Sequence, residues 1–172
     1  MDRPTRLLFV CMGNIMRSPA AEALFRHHAG AAGILGRYEI DSAAITDWNA
    51  GSPPAASMRA VAGDRGVVVD GVARQVRPED FAWADWILVM EHEHVLMLAP
   101  RAANEREGRK IRQLREFDPI HGGDLDIRDP HSGPRELVEA TYEILDRSVR
   151  GLLEALESGA LALDGAETWE SA

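Results

Sequence analysis

Leu7-Leu8-Phe9-Val10-Cys11-Met12-Gly13-Asn14-Ile15-Met16-Arg17-Ser18-Pro19 passes from an apolar run, through a short loop, into a helix start. Leu7 to Val10 has no helical period and reads as a buried strand. Ser18 followed by Pro19 predicts an N-cap with proline at the first helical position. The loop therefore lies at a helix N-terminus, where unpaired N–H groups and a positive partial charge favour anions. Successive amides from Met12 through Gly13, Asn14, Ile15 and Met16 to Arg17 and Ser18 can cradle a phosphate. Gly13 permits close backbone approach and unusual angles, and Asn14 tolerates left-handed geometry.

Cys11 and Arg17 are six residues apart, so they can face each other across this loop. The planar fork of Arg17 can hold two phosphoryl oxygens and counter their charge during transfer. Cys11 would then lie under the phosphorus. A helix N-terminus and a nearby arginine both favour a thiolate, which needs no separate base. Ser18 can donate to that sulfur and ease its departure in a second step. A lone cysteine is often only a small buried hydrophobe. Here the preceding strand, the internal glycine and the following Ser-Pro coincide, which favours the chemical reading.

Working outward, the chain alternates strand and helix. A helix is expected from Pro19 to Ala29, stopping at Gly30. Further strands are expected at Tyr38–Ala43, Trp86–Met90 and Ile111–Leu114. Helices are expected after Pro53 or Pro54 to about Asp64, over Pro78–Ala82, over Glu91–Leu98, and from Pro134 onward. In the last helix Leu137, Thr141, Leu145, Val149, Leu152 and Leu156 keep roughly helical spacing. This alternation predicts a single α/β domain over residues 1–159, with a four-stranded parallel sheet and helices on both faces. Residues 160–172 read as a flexible tail. Ligands in such sheets bind at the carboxyl ends of the strands. Cys11, Ser42, Glu91 and the long loop Phe117–Gly133 should therefore meet at one rim.

The bulk numbers narrow the classes. The 172 residues are 45% hydrophobic and 27% charged, ordinary globular values. The net charge of -9 argues against nucleic-acid or membrane-surface binding, both of which want a basic face. No apolar run approaches the roughly 18 to 20 residues of a membrane helix, and Leu7–Val10 is too short for a signal-peptide core. One cysteine excludes an internal disulfide and makes a reducing cytoplasm the expected compartment.

Phosphoryl transfer to Cys11 needs an acid for the leaving oxygen, then a base for water. The long loop offers Asp118, Asp124, Asp126, Asp129, His121 and His131. Asp129-Pro130 is attractive because proline fixes the backbone beside the acid. Glu91-His92-Glu93-His94 invites a metal reading, but residues two apart on a helix point to different sides. A solvated helix face is expected there, with no metal. His27 and His28 are expected on a helix surface.

These features resemble the low-molecular-weight protein tyrosine phosphatase family over about residues 6 to 158. The resemblance rests on Val10 to Pro19, Asp41-Ser42-Ala43-Ala44, Val72-Ala73-Arg74-Gln75 and Asp129-Pro130. It implies no cofactor, with Cys11 as nucleophile, Arg17 as phosphate clamp and Asp129 as general acid. Asn14, Ser18 and Ser42 would brace the loop, and Trp48 would form an aromatic wall of the cleft. The implied substrates are phosphotyrosine-containing proteins or small aryl phosphates, with phosphate and other oxyanions as inhibitors.

Four positions depart from the family pattern. Met16 stands where relatives have a second cysteine, and Gly71 where many have histidine. His131-Ser132 replaces a pair of tyrosines, and Glu91 replaces an aspartate. Three rival functions use similar parts. A single-cysteine arsenate reductase would need an external thiol. A phosphoarginine phosphatase would favour threonine where this chain has Ile15. A non-catalytic phosphoprotein binder would have no use for Asp129.

Overall fold

The apolar run becomes the strand β1, Thr5–Cys11, at the centre of the sheet. The computed structural model describes residues 3–162. The expected tail therefore lies outside the described residues from position 163 on, Trp169 included. Parallel pairing joins β1 to β2 (Tyr38–Ala44) on one side and to β3 (Trp86–Val89) on the other. The short β4, Ile111–Gln113, completes the order β2-β1-β3-β4. Connections leave β1 in opposite directions, so its carboxyl end is the topological switch point where such sheets bind ligands.

Side chains alternate across the pleat. Leu7, Phe9 and Cys11 point into one buried layer, with Leu24 and Phe25 of α1 (Arg17–Ala31) and Tyr142, Leu145 and Val149 of α6 (Arg135–Glu157). The helix α2, Ala56–Asp64, adds Met58 and Val61 there. Leu8 and Val10 point to the other layer. It is closed by Phe81 of α3 (Pro78–Trp83) and Leu98 of α4 (His92–Leu98). A strand buried on both faces reads as a continuous apolar run, which is why β1 is so plain in the sequence.

Several boundaries differ from expectation. The first helix begins at Arg17, with Met16 as N-cap and no side-chain cap, so Ser18 is not the cap. Pro19 still fits, because the first turn's N–H groups have no helical partners. The helix runs past Gly30 to Ala31, and the turn's positive φ, 72°, falls on Gly33. In α6 the inward stripe starts at Val138, while Leu137 is 46% exposed. The pattern also missed the short α5, Glu105–Gly108, and the 3-10 turns Leu35–Arg37, Ala99–Arg101 and Leu114–Phe117.

The long loop is pinned where it begins. Asp118, expected only as one of the loop's candidate acids, is 1% exposed and accepts from Arg147 Nε and Nη2 at 3.0 and 3.1 Å. Burial pushes its pKa up, but the bonds from Arg147 outweigh that and hold it below the ordinary carboxylate range. Gly151 of α6 packs against the backbone of Phe117, where a Cβ would lie 1.9 Å from the carbonyl oxygen. No helix among the described residues is long and apolar enough to cross a membrane.

Candidate active site

The loop after β1 turns its amides inward because its carbonyls are bound outward. Cys11 O accepts from Ile45 N at 2.9 Å, and Met12 O from Thr46 N and Oγ1 at 3.2 and 2.9 Å. Gly13 O accepts from Asn49 Nδ2 at 3.3 Å and Ile15 O from Ala55 N at 2.8 Å. A trans peptide points its N–H opposite its carbonyl. The N–H groups of Met12, Gly13, Asn14 and Met16 therefore face the centre of the loop. The N–H of Asn14 already donates to Cys11 Sγ, 3.3 Å away. The left-handed residue is Asn14, at φ 55°, rather than Gly13. Gly13 gives closeness: a Cβ there would meet Asn49 Nδ2 at 2.5 Å and push that side chain off the Gly13 carbonyl.

Cys11 is 2% exposed at the loop's floor, with Ser18 Oγ 3.0 Å from its sulfur. A hydrogen-bond chain orients that hydroxyl. Arg74 N donates to Asn14 Oδ1 at 3.2 Å, which fixes the carboxamide. Asn14 Nδ2 then donates to Ser18 Oγ at 2.8 Å and to Ser42 Oγ at 3.1 Å. Ser42 in turn donates to Glu22 at 2.7 Å. Burial pushes the Glu22 pKa up, against hydrogen bonds from Ser42 and Arg26. Arg74 also pairs with Asp80 and Asp41, at 2.9 Å each, which accounts for the arginine of the Val72–Gln75 motif. Gly71, at φ 97°, brings no side chain to this network.

Arg17 is 1% exposed and reaches across the loop. Its Nη1 donates to Glu91 Oε2 at 2.9 Å and to the Ile127 carbonyl at 2.7 Å. Both Nη1 hydrogens are thereby used. Nε is buried with no hydrogen-bond partner among the described residues, and Nη2 has a 3.6 Å contact to Asp129 Oδ2. The Nε–Nη2 edge is thus the side left for two oxygens of an oxyanion, the bidentate geometry that arginine suits.

Above the loop is a cleft of about 230 Å³, walled by Trp48, Asn49, Asp129 and His131. Trp48 is 75% exposed, so it is no core tryptophan. The loop brings Asp129 to the cleft but turns Asp118 into an ion pair and Asp124 toward Arg128. Met16 is buried at 3% exposure, its sulfur 3.8 Å from Ser57 Oγ.

One expectation holds only in half. His92 and Glu93 are exposed as expected, but His94 is 0% exposed and Glu91 contacts Arg17. His28 is half-buried and bonds Asp146 at 2.6 Å. Among the described residues no cluster of acidic, histidine or cysteine side chains is suited to a metal. Sequence reasoning also missed Glu22, Asn49 and the Ile127 carbonyl. Glu22 had a usable signal, one helical turn beyond Ser18; a carbonyl has none.

A parallel α/β sheet that sets a thiol beneath an amide-lined, arginine-closed loop defines an α/β phosphohydrolase. The model of the family described as low molecular weight phosphotyrosine protein phosphatase matches residues 6–160. A low molecular weight protein-tyrosine-phosphatase from Streptomyces coelicolor is 39% identical, covering 88% of this chain and 93% of that protein. A low molecular weight phosphotyrosine protein phosphatase from Sus scrofa is 37% identical, covering 86% and 93%. A crystal structure of a protein tyrosine phosphatase from Entamoeba histolytica, with Hepes in its active site, superposes with a TM-score of 0.87. It is 32% identical and covers 91% of this chain and 99% of that one. The chain belongs to the low molecular weight phosphotyrosine protein phosphatase family.

Proposed function

We propose that this protein hydrolyses phosphotyrosine-type phosphomonoesters through a phosphocysteine intermediate, using Cys11, Arg17 and Asp129. The single observation that carries this is the set of groups converging on one cleft. Cys11 Sγ accepts from the Asn14 amide at the loop's floor, Arg17 lines the same cleft with Nε unpartnered, and Asp129 stands at the wall.

The sulfur attacks phosphorus, and the aryl oxygen leaves with a proton from Asp129. Arg17 and the loop amides from Met12 to Ser18 offset the charge on the equatorial oxygens. In the second step the Asp129 carboxylate takes a proton from water, which attacks the phosphocysteine. Ser18 donates to the departing thiolate. The aromatic ring of the substrate rests against Trp48, with His131 opposite it. Inorganic phosphate and similar oxyanions should compete for the same cradle. The need to keep the lone thiol reduced supports a cytoplasmic setting.

Steady release of phosphate from an aryl phosphate and from a phosphotyrosine peptide tests the reading. Cys11→Ser, which keeps the shape but not the thiolate, should abolish both. Tight phosphopeptide binding without turnover in the wild type would support the binding-module alternative instead.

A further inference from the structure

His94 is the one buried imidazole that the chemistry above does not use. It sits in the first turn of α4, and its side chain is 0% exposed. Nδ1 lies 3.3 Å from both the Met90 and the Glu91 backbone nitrogens and accepts from them. That ties down the turn linking β3 to α4. A neutral imidazole that accepts at Nδ1 carries its proton on Nε2. Nε2 is buried and makes no well-aligned hydrogen bond among the described residues. Its neighbour is Glu91 Oε2, 3.3 Å away. The same oxygen accepts from Arg17 Nη1 at 2.9 Å.

We propose that His94 is a positioning residue for the phosphate clamp: it fixes the turn through Nδ1 and directs Nε2–H at Glu91, which holds Arg17. This deepens the phosphatase reading and rests on it. The chemistry explains why an imidazole suits the place. A buried donor without a partner is costly, so an apolar side chain would pack there more cheaply if no polar role existed. A lysine or arginine would add a second cation that competes with Arg17 for one carboxylate. Neutral imidazole supplies a donor without that charge. Burial and the Arg17 charge keep it neutral, with its pKa pushed down to about 4 despite Glu91, Asp126 and Asp129 nearby.

The fixed geometry matters because Arg17 must present Nε and Nη2 together. If Glu91 swings, Nη1 loses an anchor and the fork tilts. Binding of an oxyanion should then weaken along with turnover. Asparagine separates the two roles of His94. Its carbonyl oxygen can still accept near the place of Nδ1, but it has no donor at the place of Nε2.

The test measures the affinity of inorganic phosphate by calorimetry, and kcat and KM for an aryl phosphate, in wild type, His94→Asn, Glu91→Gln and the double variant. His94→Asn should weaken phosphate binding and lower kcat/KM, each roughly tenfold, the scale of one charge-assisted hydrogen bond. Its melting temperature should stay close to wild type. In the Glu91→Gln background the same substitution should add less, because the carboxylate charge that His94 steers onto Arg17 is already gone. His94→Gln, whose longer amide can again reach Glu91, should recover part of the loss. Phosphate affinity and kcat/KM within twofold of wild type in His94→Asn would overturn the proposal. So would losses that simply add in the double variant. Calorimetry reads the clamp without turnover, so an inactive wild type that still binds phosphate would count against the phosphatase reading alone.

Discussion

Ser18 Oγ lies 3.0 Å from Cys11 Sγ, and its proton has one other acceptor in range, the Ala43 carbonyl at 3.5 Å. Asn14 Nδ2 donates to the same oxygen at 2.8 Å, which leaves the hydroxyl proton for one of those two acceptors, and a thiolate is the closer and the charged one. A hydrogen bond to a charged group is worth about 1.5–3 kcal/mol. Ser18→Ala should therefore lower kcat roughly 10- to 100-fold. The loss should fall on expulsion of the thiolate from phosphocysteine, so a pre-steady-state burst of phenol should grow. Unchanged kcat would remove Ser18 from the mechanism.

Asp129→Asn should slow the reaction in proportion to how poor the leaving group is. General acids contribute about 10²- to 10⁴-fold where the leaving oxygen needs its proton. A leaving-group series in wild type and variant gives the two slopes, and equal slopes would remove Asp129 as the acid. Asp124→Asn is the control on the same loop, since Asp124 bonds Arg128 at 2.9 Å. Asp118 does not serve, because it is buried against Arg147 and its loss would disturb the fold.

The parts of this site that could be read in the sequence are those written in consecutive residues. β1 showed itself because both of its faces are buried, and the phosphate loop because Cys11, Gly13 and Arg17 share one short segment. Helix starts were less legible: Ser18 has the chemistry of a cap, yet its hydroxyl serves Cys11. Topology put Glu91 at the rim, but His94 looked like a surface residue, and nothing in the spacing reveals the bond from Arg17, 74 residues away from Glu91 in sequence. The Ile127 carbonyl, 110 residues from Arg17, carries no side-chain signal.

Gly151→Ala should reverse an ordinary trend. Alanine in place of glycine within a helix usually stabilises by roughly 0.5–1 kcal/mol. Here the new Cβ would meet the Phe117 carbonyl oxygen at 1.9 Å, a backbone atom that cannot rotate away. Overpacking should cost about 1–3 kcal/mol, seen as a lower urea midpoint. Gly30→Ala, with nothing within 4 Å of the added carbon, should be neutral or stabilising. A Gly151→Ala protein as stable as wild type would contradict the close packing of α6 on the Leu114–Phe117 turn.

His94 also ties stability to pH. Its folded pKa is about 4, against an ordinary value of 6.5, because burial and then Arg17 disfavour the charged ring. Between those values the unfolded chain binds the extra proton. Stability from this group is complete above the unfolded value and is lost as pH falls toward the folded one, on the order of 3 kcal/mol in all. Urea unfolding at pH 7 and near pH 4.5 should show wild type losing more stability than His94→Asn, which has no ring to titrate. Equal losses would mean that the imidazole is not held neutral by the fold.

The central claim is that the phosphoryl group passes through Cys11. Rapid-quench mass spectrometry of Asp129→Asn with an activated aryl phosphate tests it directly. That leaving group departs without an acid, while hydrolysis of the intermediate lacks its base, so phosphoenzyme should accumulate. The account predicts one phosphoryl group per protein, mapped to the peptide containing Cys11 and absent in Cys11→Ser. Turnover with no covalent phosphoryl group on the protein, or with one on another residue, would contradict it.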